Sequence, residues 1–394
     1  MYSIRKDNKN RSLKTGESQR KDGRYVYKYV DSSKKTRFIY SWKLLPGDKT
    51  PNGKRDDLSL REKEKKILID IAEGIDTVGR KITVGELYSK QISQKQNVAP
   101  STVRGRAHLL KIINEDKLGR QYLDNVKTSD AKEWVIRQSV KGYSFKSIKN
   151  YKRSLTSAFE MAVQNDYIRK NPFKFSVKDV IKDESKKKNP LSHEEQEGLL
   201  SFIKNDAVYG KNYDEFVILL GTGLRASEFC GLTAGDIDMK TRTISVNHQL
   251  LKNAEIGYYI APPKTKCSIR KIYMSPGVYN SFKNILVLNK NNKTQFEVDG
   301  YSGFLFRDKN NMPKTVASVD AMFRRISKKY KLRSEPITPH TLRHTFCTNM
   351  ANAGMNPKSL QYIMGHSSVS MTLNYYSHTS FDAAKEEMKR IMNN

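Results

Sequence analysis

Four short islands in the second half of the chain hold side chains whose types and spacing could do chemistry. GTGLRASE (221–228) is a glycine-rich turn running into a helix that carries Arg225 and Glu228. PPKTKCSIRKIYM (262–274) puts Lys264 at a turn before a strand, and TPHTLRHTF (338–346) sets His340 and Arg343 one helical turn apart. GHSSVSMTLNYYSH (365–378) adds His366 and two adjacent tyrosines, Tyr375 and Tyr376. Singly, each has an ordinary explanation: a helix cap, a solvated lysine, a chance His-x-x-Arg. Together they supply two arginines, a lysine, two histidines and a tyrosine, with no clustered carboxylates and no metal-ligand spacing. That set suits an anionic phosphodiester, because arginine forks bind phosphate oxygens bidentately and stay charged. Preorganised cations can stabilise a pentavalent phosphorus without a metal ion.

A nucleophile is then needed, and tyrosine fits. With a free pKa near 10, only about one part in a thousand is ionised at pH 7, so cations and a general base must activate it. Helical spacing puts Val369, Leu373 and Tyr376 on one face, which would make Tyr376 a core residue unless the helix stops short of it.

The islands, in this order and separation, resemble the tyrosine recombinases (phage-type integrases), and the match is specific over the C-terminal half. The resemblance implies that Arg225 and Arg343 clamp the scissile phosphate and that Lys264 protonates the leaving 5′ oxygen. It implies His340 as base or phosphate donor, His366 as donor to a non-bridging oxygen, and Glu228 as the acid that orients Arg225 or a histidine. His344 and His378 lie in the motifs but off the core positions, which makes them structural or supports behind the residues that meet the phosphate. Family members commonly end this stretch with Thr-Tyr-Ser/Thr-His, which selects Tyr376. Others place the nucleophile nine residues after the histidine, which would be Tyr375. The family needs neither metal nor ATP, so no cofactor is expected, and it works as a tetramer on two duplexes. The implied partners are double-stranded DNA with core-type and arm-type sites, further copies of the chain, and an accessory protein for excision. A type IB topoisomerase, or a DNA-binding regulator without activity, is the alternative.

The elements that must position these residues can be read around them. At 394 residues the chain is long for one domain. It carries 72 Lys+Arg against 41 Asp+Glu, a net charge of +31, where solubility needs only about 2–8. Such an excess points to a polyanion, since neutralising phosphates releases counterions. No stretch approaches the length of a transmembrane helix and no apolar leader core follows the basic start, so a cytoplasmic protein on DNA, in a bacterial host, is expected. Three scattered cysteines, Cys230, Cys267 and Cys347, argue against disulfides and structural zinc.

The first 50 residues hold 14 Lys+Arg and 5 Asp+Glu. RYVYKYV (24–30) and RFIYSWKLL (37–45) predict a hairpin, followed by a helix over 58–75. Basic, aromatic strands suit a DNA groove, with Arg24, Lys28 and Arg37 as candidate contacts; the whole is similar to the arm-binding domains of conjugative-transposon integrases. From 80 the texture is helical: Ile148, Tyr151, Leu155, Ala158 and Ala162 form a buried stripe, leaving Lys146, Lys149, Lys152 and Arg153 for phosphates. Thr128 and Ser129 are read as caps for the helix carrying Trp134 and Val135. A charged linker follows, then the capping box Ser192–Glu195.

The expected architecture is therefore multidomain and mainly α with small β elements. An arm-type DNA-binding domain of three strands and a helix (1–77) precedes a helical core-binding domain (80–178) and a linker (179–190). A mostly helical catalytic domain with a small sheet (191–394) ends in a tail, FDAAKEEMKRIM (381–392), anchored by Phe381, Met388 and Ile391. The tail packs on its own domain or docks on a neighbouring subunit.

Overall fold

The computed structural model describes residues 5–31, 35–72, 82–95, 98–185, 189–263, 266–290, 296–331 and 335–376, together with Lys385, Met388, Lys389 and Met392. Lys264, Ser377 and His378 lie outside the described residues, as do Phe381 and Ile391 of the tail. The chain divides into two compact units, Met1–Lys186 and Lys187–Asn394.

In the first unit, β1 (Glu17–Gln19), β2 (Tyr25–Val30) and β3 (Thr36–Ser41) form an antiparallel sheet in that order. Strand alternation divides its faces. Tyr25, Tyr27, Leu44 and Leu60 make a small core, with Tyr29 and Ile39 against it. The opposite face shows Lys28 beside its cross-strand partner Phe38, with Tyr40 and Val30 also exposed. α1 (Leu60–Ala72) packs on β2 and β3.

Four helices follow: α2 (Val84–Ser93), α3 (Pro100–Glu115), α4 (Thr128–Val140) and α5 (Phe145–Gln164). They enclose a second core around Trp134, Phe159 and Phe173. In α5 the stripe is buried at Ile148, Leu155, Ala158 and Ala162, while Tyr151 is half-buried. The cap of α4 corrects the expectation. Lys127 is the N-cap residue, Thr128 is already helical, and the Asp130 carboxylate accepts the Lys127 N–H at 2.8 Å. An acid at the third helical position thus does the work assigned to Thr128 and Ser129.

The second unit opens with α6 (His193–Asn205), capped reciprocally by Ser192 and Glu195. α7 (Tyr213–Thr222) is its central helix and packs against α9 (Pro276–Lys290) and α11 (Pro339–Asn352). Between α7 and α9 come α8 (Ala226–Gly231) and five strands: β4 (Ile237–Asp238), β5 (Thr243–Val246), β6 (Gln249–Asn253), β7 (Gly257–Ala261) and β8 (Arg270–Tyr273). β4-β5-β8 form one antiparallel sheet, and β6-β7 a separate hairpin. α10 (Val316–Tyr330), α12 (Pro357–Met364) and α13 (Val369–Leu373) complete the unit. Its core includes Phe216 stacked on Phe323 and Phe229 stacked on Phe306. Phe346, Cys347, Leu360 and Met364 form a smaller cluster against which both tyrosines, 375 and 376, pack. Among the described residues no helix is long and apolar enough to cross a membrane.

Candidate active site

Arg225 is delivered by a turn only glycine can make. α7 ends at Gly223 with φ +63°, and a Cβ there would come within 2.5 Å of the Phe346 ring. Two residues later Arg225 caps α8 and exchanges bonds with Glu228: its N–H donates to Oε2 at 3.0 Å and its Nη1 to Oε1 at 2.6 Å. Arg343 sits three residues after His340 on α11. The arginine is buried and the histidine exposed.

These cations converge on one short segment, the C-terminal end of α12. Arg343 Nη2 donates to the Met364 carbonyl and Arg225 Nη2 to that of Gly365 at 2.8 Å. Arg270 Nε donates to the carbonyl of Ile363 at 2.5 Å. Three successive carbonyls thus each hold one guanidinium. The last-turn carbonyls of a helix lack intrahelical partners and carry its negative dipole end, so they attract cations. Gly365 closes the helix at φ +60°, where a Cβ would lie 3.1 Å from the Ser268 Cα, and the chain turns into His366.

Electrostatics follow from this crowding. Burial would raise the Glu228 carboxyl, but the hydrogen bonds and charge of Arg270, with the charge of Arg225, hold it at about 2. Burial, then the repulsion of Arg225, brings Arg343 down to about 9. His366, buried and with Nδ1 2.9 Å from Thr372 Oγ1, is lowered to about 4 by desolvation and then by Arg343, Arg225 and Arg270. His340 adds to that repulsion. The result is a pocket of cations around a neutral imidazole, with one carboxylate among them.

α13 stops at Leu373, before either tyrosine, so helical spacing does not bury Tyr376; Thr372 is the buried residue and Leu373 is exposed. The Tyr375 ring lies 6.3 Å from His366, nearly parallel to it, and 4.7 Å from His344. Tyr376 turns its hydroxyl the other way, donating to the Met355 carbonyl. Burial raises both phenols, and at Tyr375 the charge of Arg343 works against that rise. Among the described residues His344 Nδ1 is buried without a partner, and burial lowers its pKa.

The structure therefore brings Arg225, Glu228, Arg343, His366 and Tyr375 together, with His340 at the rim and the Tyr376 hydroxyl turned aside. Arg270 was missed in the sequence, although it stands in the lysine-bearing stretch. A basic residue opening a strand gives no sign of burial.

The candidate DNA contacts lie in the first unit. Lys28 is on the exposed aromatic face of the sheet. Arg24 lies 5.7 Å over Tyr40 and 5.5 Å over Trp42, and pairs with Asp22 at 2.7 Å. Arg37 is instead opposite Tyr29, on the core side, and pairs with Asp31 at 2.8 Å. On α5, Lys146, Lys149 and Arg153 are exposed, whereas the half-buried Lys152 sits 5.0 Å over Phe175 and burial lowers its pKa.

Residues 189–382 match the phage integrase family, and residues 1–71 match the DNA-binding domain of the Tn916 integrase. The chain is 53% identical to the transposase from transposon Tn1545 of Streptococcus agalactiae over 395 residues, covering 99% of this chain and 97% of that protein. It is 53% identical, with the same coverage, to the transposase from transposon Tn916 of Enterococcus faecalis. Among solved structures, the Tn1549 transposon integrase in complex with a circular intermediate DNA matches at 51% identity and a TM-score of 0.75, covering 79% of this chain and all of that one. A lambda integrase dimer on a core site shares the fold, with a TM-score of 0.53 at 15% identity. The chain belongs to the phage integrase family of tyrosine recombinases, which cleave and rejoin DNA by transesterification, alongside the Tn916 and Tn1545 transposases.

Proposed function

We propose that the chain excises and integrates a conjugative-transposon-like element, and that the convergence of Arg225 and Arg343 on the Met364 and Gly365 carbonyls marks the seat of the scissile phosphate. That convergence carries the reading, because it holds two guanidiniums side by side with N–H groups to spare. Each arginine directs further donors to non-bridging oxygens. The tautomer in which Thr372 donates to His366 Nδ1 leaves Nε2–H to serve as a third donor.

Tyr376 is the proposed nucleophile, with Tyr375 its rival. The phenolic oxygen attacks phosphorus, its proton passes to His340, and the P–O5′ bond breaks as Lys264 protonates the leaving oxygen. The 3′-phosphotyrosyl link conserves the bond energy, so a 5′ hydroxyl from a partner duplex reverses the step and reseals the DNA. In the free protein the Tyr376 hydroxyl is engaged by Met355, so the segment after α13 must turn before attack. Tyr375 lies against His366 and feels the charge of Arg343, which is what keeps it in contention.

The division into an arm-binding domain (1–77), a core-binding domain (80–178), a linker (179–190) and a catalytic domain (191–394) is part of the same reading. The face carrying Lys28, Phe38 and Tyr40 suits a groove of arm-type DNA, and Lys146, Lys149 and Arg153 suit core-site phosphates. Strand exchange between two duplexes requires four protomers, and direction would be set by an accessory protein. Action on a bacterial element's DNA puts the protein in the cytoplasm.

Covalent trapping tests this. Nicked duplexes carrying the element's ends, incubated with protein in EDTA, should yield a denaturant-resistant adduct that Tyr376→Phe abolishes. Loss in Tyr375→Phe alone would keep the chemistry and move the nucleophile. Tight binding with no adduct from any form would favour a DNA-binding regulator.

A further inference from the structure

We propose that Arg270 is a positioning residue for Arg225: a buried second guanidinium that fixes both acceptors of the first. The inference rests on the phosphate-binding role proposed for Arg225. Arg270 opens β8 with its side chain wholly buried. Its Nη2 donates to Glu228 Oε2 at 2.8 Å and its Nη1 to Oε1 at 3.1 Å and to the Ser268 carbonyl at 2.9 Å. The same two carboxylate oxygens take the Arg225 side chain and backbone N–H. Glu228 is thus shared between two arginines.

The second acceptor of Arg225 is the Gly365 carbonyl. Arg270 reaches this segment too, through the carbonyl of Ile363 two residues earlier. Gly365 itself is packed against Arg270, since a Cβ there would lie 3.2 Å from Nη1. One guanidinium therefore bonds the Glu228 carboxylate directly and packs against Gly365, the residue whose carbonyl is the other acceptor of Arg225. A lysine could supply the charge but not the planar fork that meets Glu228 twice while Nε meets Ile363. Because Arg270 opens β8, the same clamp ties that strand to α8, which carries Glu228.

A purely structural ion pair would affect stability alone; a positioning residue acts through Arg225. The test is single-turnover adduct formation on the nicked duplex at saturating protein, with thermal unfolding and DNA affinity measured alongside. Arg270→Lys is expected to slow cleavage about 100-fold, the scale of a small misplacement of a catalytic group, with DNA affinity unchanged. In an Arg225→Lys background the further loss should shrink to within about twofold. Equal losses in both backgrounds would overturn the inference. Because removing one charge of a buried pair can unfold the domain, the paired variant Arg270→Met with Glu228→Gln removes both. It should fold and still cleave slowly; wild-type cleavage by it would equally overturn the inference. Absence of adduct in the wild type would instead contradict the proposed function itself.

Discussion

Two buried clusters of acid and arginine occupy the two units, and they are unbalanced in opposite directions. Beneath the N-terminal sheet, Glu17 and Glu64 share one arginine, Arg61, whose Nε donates to Glu17 Oε1 at 2.9 Å. Among the described residues Glu64 Oε2 has no donor, and burial followed by the charge of Glu17 raises its carboxyl. That site sets two acids against one arginine, and its surplus of negative charge shows in the raised Glu64 carboxyl. In the catalytic unit one carboxylate, Glu228, faces Arg225 and Arg270 with Arg343 nearby. Arginines cannot shed protons readily, so they take helix-end carbonyls as provisional partners. A cluster that satisfies itself is structural; one left with excess cations is shaped for an anion from outside. The distinction lies in the sign of the imbalance, since in both clusters the acids are buried.

The largest effects should come from groups that meet that anion. Tyr376→Phe is expected to lower adduct formation by at least about 10⁴-fold in the trapping assay, with DNA binding retained. Arg225→Lys and Arg343→Lys should each cost about 10²–10³-fold in single-turnover cleavage, the range for a preorganised donor to a developing charge. If either lysine variant cleaved as wild type does, the cation surplus would have no catalytic meaning.

Removing the acid on each side sharpens the contrast. Glu228→Gln breaks a buried pair and should destabilise the catalytic unit by about 3 kcal/mol in denaturant unfolding. Glu64→Gln, at a carboxyl that burial and the charge of Glu17 push upward, should change stability by less than about 0.5 kcal/mol. Equal losses would erase the comparison.

Acid should also separate the units. Glu228, held at about 2 against 4.5 when free, stabilises above 4.5 and loses that contribution as pH falls toward 2. His366, at about 4 against 6.5, favours folding when neutral, so its contribution is full above 6.5 and lost as pH falls through 4. Unfolding of the catalytic unit followed from pH 7 to 4 should therefore show a loss of the order of 2 kcal/mol that His366→Gln reduces. In the N-terminal unit Asp48, beside Arg11, is held at about 2 against 3.8, so its contribution is lost only below about pH 4 and that unit should respond less between 7 and 4.

The smallest effect is at the exposed sheet face. Lys28→Ala should reduce the salt dependence of arm-site binding by about one unit of slope, whereas Arg37→Ala, on the core side, should leave the slope nearly unchanged.

Much of this was legible before any coordinates. Arg225, Glu228, His340, Arg343 and His366 stand in short motifs at helix caps and first turns, where local rules fix geometry. The side-chain faces of β3 follow from alternation, which separates Arg37 from Phe38 and Tyr40. The carbonyls of Ile363, Met364 and Gly365 were not legible, because backbone acceptors have no letter in the sequence. Arg270 was hidden for a related reason: its burial depends on Glu228 and Ile363, which reach it only through tertiary packing. The tyrosine pair stayed ambiguous because α13 ends three residues before Tyr376, where helical periodicity gives no guidance.

The central claim is that the arginine surplus answers the negative charge of one phosphate. It is tested most directly by replacing that scissile phosphate with a neutral methylphosphonate and measuring cleavage by wild type, Arg225→Lys and Arg343→Lys. If the arginines serve that charge, the deficit of the lysine variants should shrink by about tenfold or more on the neutral substrate. An undiminished deficit would contradict the claim and leave the two arginines as scaffolding.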